Sequence, residues 1–310
     1  MNNDGLNALK QANFATGEFS EIVRLVNLTF SGIRLAGSLV EPPAVLCRAR
    51  SDLSPFQHRD QISYKRSGID IGRCNTDGQS LFYAANSLLP LPNEIKAKSG
   101  EVLTVGYWRS TKKLLFQRFG FSEDVREKLG TRLRSHPTQE VPTPDQKDTH
   151  HYDRYNYLMD AFTKMISESE LHYYKLTAAI ATILLGEIET ESFRKFIPQD
   201  IFDRTCFDGL MYPSIPSLGN FRSYAIRPNI IDSCFELFRV ETFQIEAMEG
   251  CPDFLVPLRT GFPRPDGTIA WTNRFETQYE VQLATEKVRV SHEDLGFRII
   301  DSQGKDSLGF

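Results

Sequence analysis

Motifs that mark several large classes of protein are missing from this sequence. No Gly-rich loop of the form GxxxxGK or GxGxxG occurs, which argues against P-loop and dinucleotide-binding Rossmann proteins. The histidine pair at 150–151 has no HExxH context, so it is typical of a loop rather than of a metal site. Ser214 stands in Tyr-Pro-Ser-Ile-Pro, without the glycines that flank a hydrolase nucleophile. We therefore expect no metal site and no resident cofactor.

Signals for secretion, membrane insertion and nucleic-acid binding are also weak or missing. The five cysteines are scattered, odd in number and contain no CxxC pair, which favours reduced thiols in a cytoplasm over a disulfide framework. No basic segment followed by an apolar run opens the sequence, and the longest strongly apolar run, 176–185, is too short to span a bilayer. A net charge of −4 disfavours direct nucleic-acid binding. These features predict a cytoplasmic protein without a membrane segment.

The residues that are present predict a mixed α+β protein. A content of 40% hydrophobic residues in 310 is sufficient for a sizeable core. Apolar spacing predicts helices over 19–33, 155–166 and 171–185, the last ending at Gly186, while Ser167 to Glu170 has the form of a capping box. β-propensity predicts strands over 44–48, 80–85, 102–108, 235–245 and 281–290. We expect a partial helix within 109–134, a loop or linker over 136–153, and a structured loop over 208–228.

Polar and aromatic residues recur in four short segments between these elements. The first is Leu-Cys-Arg-Ala-Arg at 46–50, and the second is Gly-Arg-Cys-Asn at 72–75, followed by Gly78 and by Phe-Tyr at 82–83. The third is Glu94 in a Pro-rich turn, and the fourth is Asp-Gly-Leu-Met-Tyr-Pro-Ser at 208–214, with Asn220 soon after. No segment is specific alone, but the ordered set is much harder to obtain by chance.

The order of these segments resembles that of the RES domain, a family named for its Arg, Glu and Ser residues. The resemblance covers residues 44–232 and includes the Tyr-Lys-Leu-Thr stretch at 174–177. It implies a compact fold similar to ADP-ribosyltransferases. We expect a single domain with an N-terminal helical segment over 1–40, together with a loop-rich excursion over 109–153 and a β-rich C-terminal extension over 241–310 that have no counterpart in the family. The resemblance also implies cleavage of NAD at the nicotinamide–ribose bond, with NAD as a substrate. Because many members are toxins, it further implies a cognate antitoxin or other inhibitory protein.

The chemistry of NAD cleavage suggests a role for each candidate residue. Nicotinamide leaves as a neutral molecule and the ribose becomes oxocarbenium-like. A buried carboxylate near the ribose can stabilise this positive charge, and Glu94 is the candidate. Arg48 and Arg73 are candidates for phosphate and ribose contacts, with Arg50 as the competitor of Arg48. Further contacts to NAD are expected from three residues: Tyr83 stacking on nicotinamide, Ser214 as a small polar contact, and Asn220.

Three readings of the function remain open at this point. The first is an NAD glycohydrolase or phosphorylase, for which the acceptor is water or phosphate. The second is an ADP-ribosyltransferase that modifies a protein or nucleic acid, and the third is a non-catalytic module that kept the fold. The presence of all four landmarks, Arg48, Tyr83, Glu94 and Ser214, argues against the third.

Overall fold

The structure is a computed structural model that describes most of the chain. The described residues are 4–30, 37–52, 55–121, 149–186, 207–217, 220–248, 251–272, 278–283, 286–293, 296–300 and 306–309. Helices and mixed sheets occur together, which confirms the α+β class.

The helices are α1 (Asp4–Gln11), α2 (Phe19–Phe30), α3 (Leu91–Glu94), α4 (Thr149–Ala161), α5 (Tyr174–Leu185) and α6 (Pro228–Cys234), with 3-10 turns at Arg59–Gln61 and Glu168–Tyr173. The strands of the first half are β1 (Gly37–Val40), β2 (Val45–Asp52), β3 (Phe82–Ala85), β4 (Val102–Ser110) and β5 (Leu114–Arg118). The remaining strands are β6 (Gly209–Pro213), β7 (Arg222–Ile226), β8 (Phe235–Met248), β9 (Cys251–Pro263), β10 (Ile269–Trp271), β11 (Gln278–Leu283), β12 (Glu286–Glu293), β13 (Gly296–Ile300) and β14 (Asp306–Gly309).

The chain divides into two compact units. Unit one comprises Met1–Glu41, Lys65–Tyr83 and Lys113–Ile231, and unit two comprises Pro42–Tyr64, Ala84–Lys112 and Asp232–Phe310. The single-domain arrangement expected from the sequence stays a prediction.

The core of unit one is built by helices α2, α4 and α5. Every residue from Leu176 to Leu185 is buried, because α5 is apolar on all sides and packs among the other elements of this unit. The helix ends at Gly186, which has a left-handed φ of 63° that glycine adopts without steric cost. The helix predicted over 19–33 is confirmed as far as Phe30, and residues 31–33 lie outside the described residues. The helix predicted over 171–185 is confirmed from Tyr174, since the predicted capping box at Ser167 opens a 3-10 turn that precedes α5.

The sheet of unit one has the order β1-β5-β6-β7. Strands β5 and β6 run parallel, and the other two pairs are antiparallel. The loop predicted over 208–228 is wrong in part, since about half of this segment forms the antiparallel pair β6 and β7. Residues 114–118 of the segment 109–134, in which a partial helix was predicted, form a strand instead. Residues 122–134 lie outside the described residues, so the prediction stays untested there.

The main sheet of unit two has the order β3-β2-β4-β8-β9-β10 and is antiparallel throughout. Alternate residues of a strand point to opposite faces. One face carries the apolar side chains of a core cluster, including Val45, Cys47 and Ala49 of β2 and Leu91 of α3. The other face of β2 therefore carries Arg48 and Arg50.

A second sheet in unit two is an antiparallel meander with the order β11-β12-β13-β14. The single strand predicted over 281–290 is wrong in its extent, because β11 ends at Leu283 and β12 begins at Glu286. None of the helices that the structure describes is both long and apolar enough to cross a membrane.

Candidate functional site

The Gly-Arg-Cys-Asn segment and Tyr83 form one hydrogen-bonded group in unit one. The backbone N–H of Cys74 donates to the Tyr83 hydroxyl at 2.8 Å, and that hydroxyl donates to Asn75 Oδ1 at 2.7 Å. The Asn75 amide nitrogen in turn donates to the carbonyl groups of Asp70 and Thr76, both at 2.9 Å. Two pieces of the sequence pattern are thus held together by the phenol of Tyr83.

The close packing of this group requires glycine at position 72. A Cβ atom built on Gly72 would lie 2.5 Å from Asn75 Oδ1 and 3.2 Å from the Tyr83 hydroxyl. The backbone N–H of Gly72 also donates to the Asn75 carbonyl at 3.0 Å. The glycine therefore lets the backbone on either side of Arg73 approach the tyrosine.

Arg73 projects from this group to the end of helix α4. Its Nη1 donates to the Phe162 carbonyl at 3.1 Å, and both terminal nitrogens approach the Lys164 carbonyl at 3.4 Å. Its guanidinium carbon also lies 5.5 Å from the centroid of the Tyr174 ring. These contacts place a cation at a helix C-terminus, which is a favourable position. Within the part of the chain that the structure describes, Arg73 makes no ion pair with a carboxylate.

Burial keeps the acidic groups beside Arg73 protonated. The pKa of the Cys74 thiol is raised to about 12, mainly by burial, while Arg73 and hydrogen bonds with Tyr212 and Tyr83 act in the opposite direction. The pKa of Tyr83 is raised well above its usual value, again mainly by burial. Both groups are therefore neutral at pH 7, and Arg73 dominates the local charge.

Ser214 and Asn220 belong to the connection between β6 and β7. Ser214 is fully buried, its N–H donates to the Phe221 carbonyl at 2.9 Å, and its carbonyl accepts from the Ser217 hydroxyl at 3.0 Å. Asn220 is exposed, and both its backbone and side-chain nitrogens donate to the Ser217 carbonyl. These bonds stabilise the turn, and the contacts predicted between these residues and NAD stay predictions.

Arg48 and Arg50 converge on one acceptor in unit two. Arg48 Nε donates to the Ser63 carbonyl at 3.0 Å, and Arg50 Nη2 donates to the same oxygen at 2.6 Å. Arg48 is only 8% exposed, whereas Arg50 is half-buried, and burial lowers the pKa of Arg50. The sequence left open which of the two arginines contacts the ligand. The structure places both side chains on one face of β2, where they bind the same carbonyl oxygen.

Glu94 lies at the end of α3, also in unit two, with an exposed side chain. Helix α3 packs through Leu91 on the face of β2 that carries Val45 and Cys47. Arg48 lies on the opposite face of the same strand, so the structure does not bring Glu94 and Arg48 together on one face.

A buried ionic group in unit two was not among the predicted site residues. The Tyr107 hydroxyl donates to Glu241 Oε2 at 2.6 Å, Arg239 forms an ion pair with the same carboxylate, and all three residues are fully buried. Burial and the Glu241 charge raise the pKa of Tyr107 well above its usual value. The sequence offers little signal for this group, since β8 also contains the polar residues Glu236, Thr242, Gln244 and Glu246.

No family model, curated protein or solved structure matches the chain. Its function must therefore be inferred from the residues described above. Chemically, unit one presents a fixed guanidinium beside the neutral thiol of Cys74 and the neutral phenol of Tyr83, and unit two presents two guanidiniums on one strand. Both arrangements suit ligands that carry phosphate oxygens.

Proposed function

We propose that this protein is an NAD-consuming enzyme of the RES type, with a fold similar to ADP-ribosyltransferases. The observation that carries the proposal is the hydrogen-bonded group of Gly72, Arg73, Asn75 and Tyr83. Residues that the sequence pattern sets apart contact one another through the tyrosine hydroxyl, and they hold an arginine at a defined place.

The proposed reaction breaks the bond between the anomeric carbon of ribose and the nicotinamide nitrogen. The bonding electrons stay on that nitrogen, so nicotinamide departs as a neutral molecule, and water or phosphate supplies the oxygen that bonds to the ribose. Hydrolysis gives ADP-ribose and a proton, whereas phosphorolysis gives the ribose 1-phosphate of ADP-ribose. No general acid is required, and the barrier is set by positive charge on the ribose.

Three of the candidate residues take distinct roles in this proposed reaction. Arg73 holds phosphate or ribose oxygens with its planar fork, and it is available for this because no carboxylate among the described residues pairs with it. Glu94 stabilises the positive ribose, and its exposure leaves the carboxylate accessible to a substrate. Tyr83 is the proposed stacking partner of nicotinamide, while its hydroxyl is used within the protein.

The test is release of nicotinamide from NAD by the purified full chain, with and without inorganic phosphate. The wild type should release nicotinamide, and Glu94→Gln should release far less, because the neutral amide has the same shape but no charge. Glu18→Gln, at another exposed glutamate, is the matched control and should retain the wild-type rate. Release that requires phosphate identifies a phosphorylase, and release in its absence identifies a hydrolase. Folded wild-type protein that releases no nicotinamide would refute the proposal.

A growth-arresting role and an inhibitory partner protein form part of the same proposal. An enzyme that depletes NAD arrests the cell that makes it unless something blocks its site. Expression of the wild type should therefore stop growth and lower cellular NAD, and expression of Glu94→Gln should do neither. Growth arrest by both proteins at constant NAD would contradict this role.

A non-catalytic module that binds NAD or ADP-ribose is the second candidate. Two observations favour it, namely the complete burial of Ser214 and the position of Glu94 on the face of the β2 sheet opposite to Arg48. Such a module binds the ligand without breaking the glycosidic bond. Calorimetric binding of ADP-ribose by wild-type protein that releases no nicotinamide would decide for this candidate.

A further inference from the structure

The guanidinium of Arg73 has one edge that is not used within the protein. Its Nη1 atom donates to the Phe162 carbonyl, and Nη1 and Nη2 together approach the Lys164 carbonyl. No acceptor among the described residues is bound to Nε, and Arg73 keeps part of its surface exposed. Because the Nε–H and one N–H of Nη2 point in the same direction, this accessible edge can bind two oxygens of one phosphate group.

The connection between α4 and α5 contacts this guanidinium at both of its ends. Phe162 and Lys164 follow the last residue of α4 and supply the two carbonyl groups. Tyr174 is the first residue of α5, and its ring centroid lies 5.5 Å from the guanidinium carbon of Arg73. The face of an aromatic ring is its negative side and attracts a cation. The orientation of Arg73 therefore depends on the Tyr174 ring as well as on the carbonyl groups.

Contacts within the connection and behind it hold the ring in place. Lys164 Nζ lies 3.3 Å from the centroid of the Tyr173 ring and 3.5 Å from a carboxylate oxygen of Glu170. The backbone N–H and the hydroxyl of Ser167 both donate to the same carboxylate. Every residue of α5 from Leu176 to Leu185 is buried, so the helix that begins with the ring is itself fixed by packing. The ring thus occupies a defined position before any ligand binds.

Tyr174 acts on Arg73 through its ring and not through its hydroxyl. The side chain is half-buried, and its hydroxyl makes no hydrogen bond among the residues that the structure describes. Tyr83 differs in this respect, because its hydroxyl both accepts and donates within the hydrogen-bonded group of unit one. Phenylalanine should therefore be able to replace tyrosine at position 174, whereas an aliphatic side chain should not.

We propose that Tyr174 is a positioning residue, whose ring orients Arg73 so that the free Nε–Nη2 edge binds a phosphate group of the ligand. A guanidinium that is oriented beforehand loses less conformational freedom when the ligand binds, and the affinity is higher for that reason. The inference rests on the proposed function in one respect, namely that Arg73 contacts the ligand. It adds Tyr174 to the residues that determine ligand affinity.

The experiment is a double-mutant cycle on the affinity of the full chain for ADP-ribose, measured by isothermal titration. Tyr174→Leu should weaken binding about 3- to 30-fold, as expected for a lost cation–π contact, and Tyr174→Phe should restore the affinity to within about twofold of the wild type. In an Arg73→Gln background, Tyr174→Leu should cause no further loss, because no guanidinium is left to orient. The affinity of the wild type should also fall more steeply with salt than that of Arg73→Gln, because salt screens the contact between guanidinium and phosphate.

The matched control is Tyr157→Leu. Tyr157 is also half-buried and also has a cation near its ring, since Lys10 Nζ lies 5.7 Å from the ring centroid, but neither residue belongs to the group around Arg73. This variant should bind ADP-ribose like the wild type, and a loss equal to that of Tyr174→Leu would overturn the proposal.

A purely structural role of Tyr174 gives a different result in the cycle. Tyr174→Leu would then weaken binding by the same factor with and without Arg73, and this outcome overturns the proposal. Equal losses for Tyr174→Phe and Tyr174→Leu overturn it too, as does wild-type protein that does not bind ADP-ribose or that shows the same salt dependence as Arg73→Gln. Binding with the expected coupling but without nicotinamide release would support the role of Tyr174 while refuting NAD cleavage. Nicotinamide release without the coupling would refute the role of Tyr174 and leave NAD cleavage in place.

Discussion

Replacement of Tyr83 by phenylalanine tests the hydrogen-bonded group of unit one. The ring keeps its volume, so no cavity forms, but the hydroxyl that accepts from Cys74 N–H and donates to Asn75 Oδ1 is lost. Cys74 and Asn75 are almost completely buried, so water cannot replace the hydroxyl without local opening. An unsatisfied buried N–H costs about 1–3 kcal/mol and the lost bond to Asn75 about 1 kcal/mol, which together give about 2–4 kcal/mol.

The assay is native-state amide exchange followed at the Cys74 N–H, with urea unfolding of the same protein. A loss of about 2–4 kcal/mol corresponds to exchange that is roughly 30- to 1,000-fold faster. The control is Tyr157→Phe, because Tyr157 is half-buried on α4 and its hydroxyl makes no hydrogen bond among the described residues. This variant should change neither the exchange rate at Cys74 nor the unfolding midpoint.

The consequence for function follows from the position of Arg73, which directly precedes the two residues that bind the tyrosine hydroxyl, Cys74 and Asn75. With the group opened, the guanidinium loses its fixed orientation, and the affinity for NAD should fall even though phenylalanine keeps the aromatic ring that is proposed to stack on nicotinamide. Exchange at Cys74 that stays within threefold of the wild type, or loss of stability equal to that of Tyr157→Phe, would refute the reasoning.

Three further changes probe the same unit. Gly72→Ala places a Cβ atom 2.5 Å from Asn75 Oδ1, so the unfolding midpoint and the NAD affinity should both fall. Gly186→Ala puts a side chain at a left-handed φ of 63° and should cost about 1–2 kcal/mol in urea unfolding. Above the pKa of an unfolded thiol, near 8.5, the Cys74 thiol stays protonated only in the folded state, because burial raises its pKa to about 12. The stability that the protonated thiol contributes is complete below about pH 8.5. As the pH rises from there towards 12, the free energy of unfolding should fall by about 1.4 kcal/mol per pH unit, measured by urea unfolding.

Each of these changes has its own control. Gly186→Asn should cost less than Gly186→Ala, because asparagine tolerates the left-handed region, and equal losses would argue against strain at the helix end. Cys74→Ala should lose less stability than the wild type between pH 9 and pH 10, and parallel pH profiles would show that the thiol is not the cause. An unchanged midpoint for Gly72→Ala would show that the segment has room for a methyl group.

Local signals made much of the fold predictable. The end of α5 was predictable because its left-handed backbone conformation is one that glycine favours, and Gly186 is visible in the sequence. The helix over 19–30 was predictable from the spacing of its apolar side chains. The segment 208–228 was misread because its glycine, proline, serine and asparagine residues are typical of loops. Its structure is decided instead by pairing, in which Gly209 lies opposite Ile226, and composition does not reveal a partner strand.

The candidate site was predictable only where its contacts are short in sequence. Asn75 and Tyr83 are eight residues apart, so the pattern contained both ends of their hydrogen bond. The carbonyl that holds Arg73 belongs to Phe162, which is 89 residues away, and no single sequence indicates that contact. The opposite faces of Arg48 and Glu94 depend on where α3 packs, which is likewise a matter of tertiary structure.

The most direct measurement of the central claim is nicotinamide release from NAD by the wild type, Arg73→Lys and Arg66→Lys. Lysine keeps the charge but not the planar fork, so Arg73→Lys should lower kcat/KM about 10- to 100-fold, as expected for lost charge-assisted hydrogen bonds. Arg66→Lys, at an exposed position of the same segment, should match the wild type. No release by the folded wild type, or equal rates for all three proteins, would contradict the assignment of NAD cleavage to the group around Arg73.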